Sequence, residues 1–141
     1  MDLKQIAESG VAQFNDRSFR TKSKELFDPN AVTVDVPTKQ EFKGIDGYVQ
    51  YANGYVTAMP DVKATVLDHK VEGNKVTTRV RGTGTFTGTM QTPKGDVPGN
   101  GKKLDAPYSL IQDFNAEGKV TRFAVDYDLQ DFMKQLGIPM A

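Results

Sequence analysis

The spacing of apolar residues changes along this chain near Pro60, and that change limits the folds it can adopt. After Pro60, residues 61–90 alternate between apolar and polar side chains, and "EGN" interrupts the alternation as a turn between two strands would. Before it, apolar residues recur at the intervals of one helix face, at Leu3, Ile6, Ala7, Val11 and Phe14. The sequence therefore predicts mainly helices first and an antiparallel sheet second.

Turn-forming residues divide the first part of the chain further. Residues 19–27 are predicted as a short helix that "DPN" ends, because the residue before a proline resists helical dihedrals. "AVTVDVP" is β-branched and alternating, which predicts a strand closed by Pro37. "GIDGYVQYANGYVTAMPD" then predicts a third helix with one aromatic stripe, formed by Tyr48, Tyr51, Tyr55 and Met59.

The last third of the chain contains a second predicted hairpin. "QTPKGDVPGNGKK" has the proline and glycine content of a loop. "LDAPYSLIQDF" and "KVTRFAVDY" are strand-like and flank the turn "NAEG", and "DLQDFMKQLG" predicts a short helix ended by Gly137. The prediction is an α+β fold in a single domain over residues 1–141, in which a curved antiparallel sheet forms a cone with the N-terminal helices on its concave face. Such a cone leaves an apolar cavity for a small molecule.

The composition excludes several classes of function. Eighteen basic residues balance eighteen acidic ones, so no net charge attracts nucleic acid. The chain has no cysteine, which excludes thiol nucleophiles and cysteine-bound metals, and its single histidine makes a metal site improbable. No apolar stretch approaches the length of about 18 residues that a membrane span needs, and no signal peptide is visible. A cytoplasmic protein without metal or cofactor is expected.

Several short motifs resemble the SnoaL-like polyketide cyclases (ester cyclases) of the nuclear transport factor 2-like superfamily. The order and spacing of these motifs match over nearly the whole chain. The matching residues are Pro60-Asp61, Arg79, Gly84-Thr85, Gly88, Gly118-Lys119 and Asp128 with Gln135-Leu136-Gly137. The resemblance implies the cone-shaped α+β fold, a homodimer, and a cavity that binds a small apolar or polycyclic ligand.

Asp128 holds the position at which the resembling cyclases carry a general acid/base for an aldol-type ring closure. A buried carboxylate with a raised pKa could do this work next to the acidic C–H of a ketone. Asp128 also precedes a helical run with Asp131 three residues on, which is typical of a helix N-cap. Strand alternation would turn Asp128 away from a cavity lined by Phe123 and Tyr127 unless the end of the strand re-aims it.

Two further positions bear on the chemistry. Phe86 stands where the cyclase pattern has a histidine in Gly-Thr-His-x-Gly, so it either fills core or pocket space or removes a polar partner of the substrate. Asp35 holds the place of the proton-shuttling aspartate in ketosteroid-isomerase-like members of the superfamily. The partners of that aspartate would lie at Gly10 and Leu110, which cannot form an oxyanion hole.

The remaining candidates are expected to shape the pocket, while His69 is expected to be a solvated strand residue. The predicted ligand-binding residues are Phe14, Tyr51, Tyr55, Phe86, Tyr108, Phe123 and Tyr127, and the predicted catalytic residues are Asp128 and Asp35. The alternating threonines and arginines of residues 77–89 are expected to contact a second subunit.

Three functions remain open from the sequence. The first is a cofactor-free enzyme that resembles the SnoaL-like cyclases and abstracts a proton next to a carbonyl. The second is a non-catalytic ligand-binding or dimeric assembly protein of the same fold. The third is a ketosteroid-isomerase-like enzyme.

Overall fold

The computed structural model describes residues 2–92 and 94–139, which form four α-helices and eight strands. The helices are α1 (Leu3–Asn15), α2 (Phe19–Lys22), α3 (Gly44–Ala58) and α4 (Leu129–Leu136), with a 3₁₀ turn at Ser23–Glu25. The strands are β1 (Phe27–Asp35), β2 (Gln40–Lys43), β3 (Lys63–Glu72), β4 (Lys75–Thr85), β5 (Thr89–Thr92), β6 (Gly95–Pro98), β7 (Lys103–Phe114) and β8 (Val120–Asp126).

Six strands form one curved sheet in the order β2-β1-β8-β7-β4-β3. Strands β3, β4, β7 and β8 pair antiparallel in sequence order, which confirms both predicted hairpins. Strand β1 pairs antiparallel with β2 on one side and parallel with β8 on the other. This parallel pair joins the first strand of the chain to the last, so residues far apart in sequence meet in the middle of the sheet.

Two predicted boundaries are wrong. The "DPN" stretch lies inside β1 instead of ending a helix, because the β1–β8 register shifts between Phe27 and Val32 and Pro29 need not donate to the ladder there. The predicted loop after residue 90 contains the β5–β6 hairpin, whose second strand begins at Gly95 with φ 116°. Neither change affects the predicted fold class.

The helices cover one face of the sheet. Helix α1 packs on β3 and β4, α3 packs on β1, and α4 packs on β7. The segment after β4 is held against the end of α3, where the Gly88 amide donates to the carbonyl of Ala58 at 3.0 Å. A Cβ at Gly88 would lie 1.8 Å from the carbonyl oxygen of Thr57, so only glycine allows this approach.

The arrangement is the predicted curved, mostly antiparallel sheet with helices on its inner face. Among the described residues, no helix combines the length and apolar character that a bilayer crossing requires.

Candidate functional site

A cavity lies between α1, α3 and the inner face of the sheet. About 730 Å³ of empty space lies between these elements when the part open to solvent is counted, and the surrounding wall is almost entirely apolar. Five of the predicted pocket residues lie on its wall: Phe14, Tyr51, Tyr55, Tyr108 and Phe123. Their role in ligand binding stays a prediction.

Four tyrosines form a connected cluster at one end of the cavity. The hydroxyl oxygens of Tyr51 and Tyr55 are 3.0 Å apart, at hydrogen-bond distance. The ring of Tyr55 meets Tyr108 edge-on, with centroids 6.3 Å apart, and Tyr108 lies 4.9 Å from Tyr127. The cluster brings hydroxyl groups from α3, from β7 and from the segment after β8 to one place.

Asp35 lies beside this cluster, at the end of β1. It is 6 % exposed and pairs in register with Val125, which lines the cavity. The Tyr127 hydroxyl donates to Asp35 Oδ2 at 3.1 Å, whereas Asp35 Oδ1 has no hydrogen-bond partner among the described residues. Asp35 does not itself line the cavity wall; its carboxylate lies behind the tyrosines.

The electrostatics of the cluster favour a proton-accepting carboxylate among proton-donating phenols. Burial raises the pKa of the Asp35 carboxyl above its usual range, and the nearby hydroxyls of Thr38 and Tyr127 partly oppose this rise. Burial also raises the pKa of the Tyr51 and Tyr108 hydroxyls far above their usual value, and the nearby Asp35 charge adds to this. These phenols therefore stay protonated at neutral pH.

Two polar atoms of the cluster are buried without a partner among the described residues. They are Asp35 Oδ1 and the hydroxyl oxygen of Tyr108. An unpaired buried polar group lowers the stability of the fold by about 1–3 kcal/mol. A hydrogen bond between either atom and a ligand or a water molecule would remove this cost. One accepts protons when ionised and the other donates, which suits a ligand that offers both an acidic hydrogen and an oxygen.

Asp128 lies outside the cavity, and this placement does not support the catalytic role predicted for it. Its carboxylate accepts a hydrogen bond from the Asp131 amide at 3.0 Å, so it is the N-cap of α4. The side chain is exposed and borders an outer groove with Leu67, Arg79 and Asp126. The physical reason is that α4 begins at the next residue and takes up the carboxylate for its own free amides.

Replacing Asp128 with alanine is expected to lower the free energy of unfolding by about 0.5–2 kcal/mol, because α4 loses its cap. Ligand binding in the cavity should be unchanged, since the carboxylate does not reach it. Thermal unfolding and a ligand titration would measure the two effects. A large loss of ligand affinity without a loss of stability would show that Asp128 takes part in ligand binding.

Two other predicted ligand contacts also lie off the cavity wall. Phe86 is fully buried in the core at 0 % exposure, and its backbone amide donates to the Lys102 carbonyl. Backbone hydrogen bonds on both sides thus fix Phe86 between β4 and the segment before β7, since its carbonyl accepts from the Asn100 and Gly101 amides. Tyr127 borders the outer groove and reaches the site through its bond to Asp35 and its ring contact with Tyr108.

The prediction that His69 is solvated is wrong. Its side chain is 2 % exposed, and its Nδ1 lies 2.8 Å from the Thr78 hydroxyl. The β3–β4 register shifts between Val66 and Asp68, which turns His69 to the inner face of the sheet under α1. No group of three His, Cys, Asp or Glu side chains in residues 2–92 and 94–139 could hold a metal ion.

The sequence reasoning did not single out Gln112, which lines the cavity. The signal was present, because Gln112 follows Tyr108 and Leu110 at the two-residue spacing of one strand face. The contact between Asp35 and Tyr127 had no such local signal, because it depends on the parallel pairing of β1 with β8.

The chain matches the family model of SnoaL-like polyketide cyclases over residues 5–136. No match was found among curated proteins. Solved structures with the same fold include a candidate SnoaL-like polyketide cyclase from Jannaschia sp. CCS1, at 22 % identity and TM-score 0.80, which covers 96 % of this chain and 94 % of that one. IdmH, a candidate polyketide cyclase from Streptomyces antibioticus, has 20 % identity and TM-score 0.77, with 98 % and 100 % covered.

A third neighbour carries a ligand. It is a protein of ketosteroid-isomerase-like fold from Catenulispora acidiphila DSM 44928 in complex with trimethylamine, at 17 % identity and TM-score 0.76, with 95 % of this chain and 93 % of that one covered. At these identities the three structures establish the fold alone, and they agree with the nuclear transport factor 2-like α+β architecture predicted above.

Proposed function

This chain belongs to the SnoaL-like polyketide cyclase family, and on that premise we propose that it is a cofactor-free enzyme that abstracts a proton next to a ketone. Asp35 is the base in this proposal, in place of Asp128. The tyrosines of the cluster bind the ketone oxygen, and the apolar cavity holds the rest of the substrate.

One observation carries the proposal: the unpaired oxygen of a buried carboxylate beside an unpaired phenol. Asp35 Oδ1 and the Tyr108 hydroxyl are the two unsatisfied groups of the cluster. A raised pKa makes the Asp35 carboxylate a stronger base than an exposed aspartate, and the protonated phenols can donate to a developing negative charge. The oxyanion partners missing at Gly10 and Leu110 are thus supplied by tyrosines from other elements.

The proposed reaction begins with transfer of the α-hydrogen of a ketone to Asp35 Oδ1. The electrons of the broken C–H bond form a C=C bond, and the carbonyl electrons move to oxygen, where Tyr108 and the Tyr51–Tyr55 pair donate hydrogen bonds. In a ring closure, the enolate carbon then attacks a second carbonyl of the same substrate, and the proton held by Asp35 passes to the new alkoxide. A shift of the half-buried Tyr51 ring that keeps its hydroxyl beside the ketone oxygen gives the substrate access to Asp35.

Family membership favours ring closure as the overall reaction. The same base and donors could instead return the proton to a different carbon of the substrate, which is the reaction of the isomerase alternative. The position of Asp35 is the observation that favours this alternative. The non-catalytic alternative draws on Phe86, which replaces the histidine of the family pattern. Because Phe86 lies in the core, its presence leaves the Asp35 cluster intact.

The proposal is tested with 2-tetralone, an enolisable bicyclic ketone that fits an apolar cavity. The protein should accelerate incorporation of deuterium at the α-carbon in deuterium oxide, measured by proton NMR. If the ketone binds but its exchange rate equals that of buffer, the non-catalytic alternative replaces the enzyme.

Replacing Tyr127 with phenylalanine is expected to shift the acidic limb of the exchange rate to higher pH, by roughly one pH unit. Tyr127 donates to the ionised Asp35 carboxylate and so lowers its pKa; without the donor, Asp35 stays protonated up to a higher pH. Tyr55→Phe is the matched control, since Tyr55 does not hydrogen-bond to Asp35. The acidic limb of its pH–rate profile should lie at the same pH as in the wild-type protein. An unshifted limb in Tyr127→Phe would exclude Asp35 as the titrating base.

The homodimer stays part of the proposal. The outer face of β4 carries exposed Arg79 and Arg81, which pair with Asp68 and Asp105 on the neighbouring strands. A second copy would pack on this polar face, on the side of the sheet away from the cavity.

A further inference from the structure

Gln112 is a buried polar side chain at the inner face of the sheet, away from the Asp35 cluster. It is 3 % exposed and lines the cavity. Its neighbours in register are Val76 on β4 and Phe123 on β8, both apolar. No polar side chain therefore lies directly opposite Gln112 on either adjacent strand.

The amide also lacks a partner elsewhere. Within residues 2–92 and 94–139, the Gln112 amide makes no side-chain hydrogen bond, whereas the Thr78 hydroxyl on the same face is paired with His69. A hydrogen-bonding side chain that faces an apolar cavity without a protein partner is destabilising unless a water molecule or a ligand pairs with it, and a leucine would fill the same space without that penalty. A polar group at this point of an apolar wall is best accounted for by a polar group on a ligand.

The spacing along β7 sets the length of that ligand. Tyr108 and Gln112 are four residues apart on one face of the strand, so their Cα atoms are separated by about 13 Å. Leu110 lies between them on the same face, and Val125 lies opposite Leu110 on β8, so the residues that line the cavity between the two polar points are apolar. The cavity thus has hydrogen-bonding groups at both ends and apolar walls between them.

We propose that Gln112 is a specificity-determining residue that binds a second oxygen of the substrate. The substrate is then a long, flat, largely apolar molecule with one oxygen function at the Asp35–tyrosine cluster and another at Gln112. The inference rests on the proposed function only for the end of the substrate that binds at the Asp35–tyrosine cluster. A glutamine amide both donates and accepts, so the distal group is a hydroxyl or a carbonyl.

The test compares two fluorescent probes, 2,6-dihydroxyanthracene and 2-hydroxyanthracene, which differ only in the distal hydroxyl. Titration of the wild-type protein should give about fivefold to tenfold tighter binding of the diol, beyond the statistical advantage of its two equivalent ends. Gln112→Leu should remove this preference and leave the affinity for 2-hydroxyanthracene unchanged. Leu110→Met is the matched control, because it changes the same wall without adding or removing a hydrogen bond.

Each outcome decides the inference. A preference for the diol that persists in Gln112→Leu, with the variant folded by circular dichroism, would overturn the role of Gln112 and leave the proposed function standing. An equal affinity of the wild-type protein for both probes would do the same. Failure of both probes to bind the wild-type protein would overturn the inference together with the cavity on which the proposed function depends.

Discussion

Asp35→Asn is expected to lower the rate of 2-tetralone exchange by about 10²–10⁴-fold, which is the range for loss of a general base. Asparagine has nearly the same shape but cannot accept the proton. The variant should still bind the ketone, because the apolar wall and the tyrosine donors are unchanged. Exchange rates and ketone affinity, measured on the same samples, separate the two effects.

The same substitution is expected to stabilise the protein at neutral pH. Burial raises the folded-state pKa of Asp35 above the unfolded value of about 4. Between these two pKa values the folded protein holds a proton that the unfolded chain releases, so the free energy of unfolding falls as pH rises through the window. Asp35→Asn avoids this loss, which amounts to roughly 1.4 kcal/mol for each unit of the rise.

Melting curves across pH test the sign of this effect. The variant should melt above the wild-type protein at pH 7, and the difference should shrink as pH falls below the unfolded-state pKa of about 4, where both proteins are neutral at this position. Asp128→Asn is the matched control: it keeps an N-cap side chain and should alter neither exchange nor stability by much. Full activity in Asp35→Asn, or its loss in Asp128→Asn, would contradict the assignment of the base.

Phe86→Ala is expected to lower the free energy of unfolding by about 3–5 kcal/mol, because it leaves a cavity in a fully packed core. Such a loss is a large share of a typical domain's stability of about 5–15 kcal/mol. Phe86→Leu retains most of the volume and should cost less than about 1.5 kcal/mol. Chemical denaturation of the three proteins gives the values.

Phe86→Leu also separates the core role of this residue from a role in the pocket. Its affinity for 2-naphthol should match that of the wild-type protein, since Phe86 is not on the cavity wall. Phe14→Leu is the control on the wall and should weaken 2-naphthol binding. If Phe86→Leu weakens 2-naphthol binding as much as Phe14→Leu does, then Phe86 contacts the ligand, and the conclusion that it serves only in core packing is wrong.

Local patterns predicted much of the fold. Alternation in residues 61–90 and 104–127 is a direct consequence of half-buried antiparallel strands, so the four-strand meander could be derived from it. The proline in "DPN" misled the prediction for β1, because a shift in strand register accommodates a residue that local rules exclude.

The site was harder to predict because its central contact is non-local. Asp35 and Tyr127 are 92 positions apart, and only the parallel pairing of β1 with β8 brings them together. The resemblance named Asp35 but placed its partners at Gly10 and Leu110, whereas the nearby hydroxyls come from α3, from β7 and from the residue after β8. Aromatic spacing along α3 located Tyr51 and Tyr55 on the cavity wall without indicating what they face.

Asp128 shows a different case, in which the local sequence and the family resemblance pointed to different roles. The spacing of Asp128 and Asp131 predicted an N-cap, whereas the position of Asp128 before Gln135-Leu136-Gly137 matched the family acid/base, and the path of the chain after β8 favours the cap. Because α4 begins at Leu129, the Asp128 carboxylate caps the first turn of this helix.

The most direct test of the base is a crystal structure with 2-naphthol, which resembles the enol of 2-tetralone in shape and charge. The naphthol oxygen should lie within about 3 Å of a tyrosine hydroxyl of the cluster, with its reactive ring carbon facing Asp35 Oδ1. Naphthol bound instead in the outer groove beside Asp128, with Asp35 still enclosed by tyrosines, would contradict the account and restore Asp128 as the candidate base.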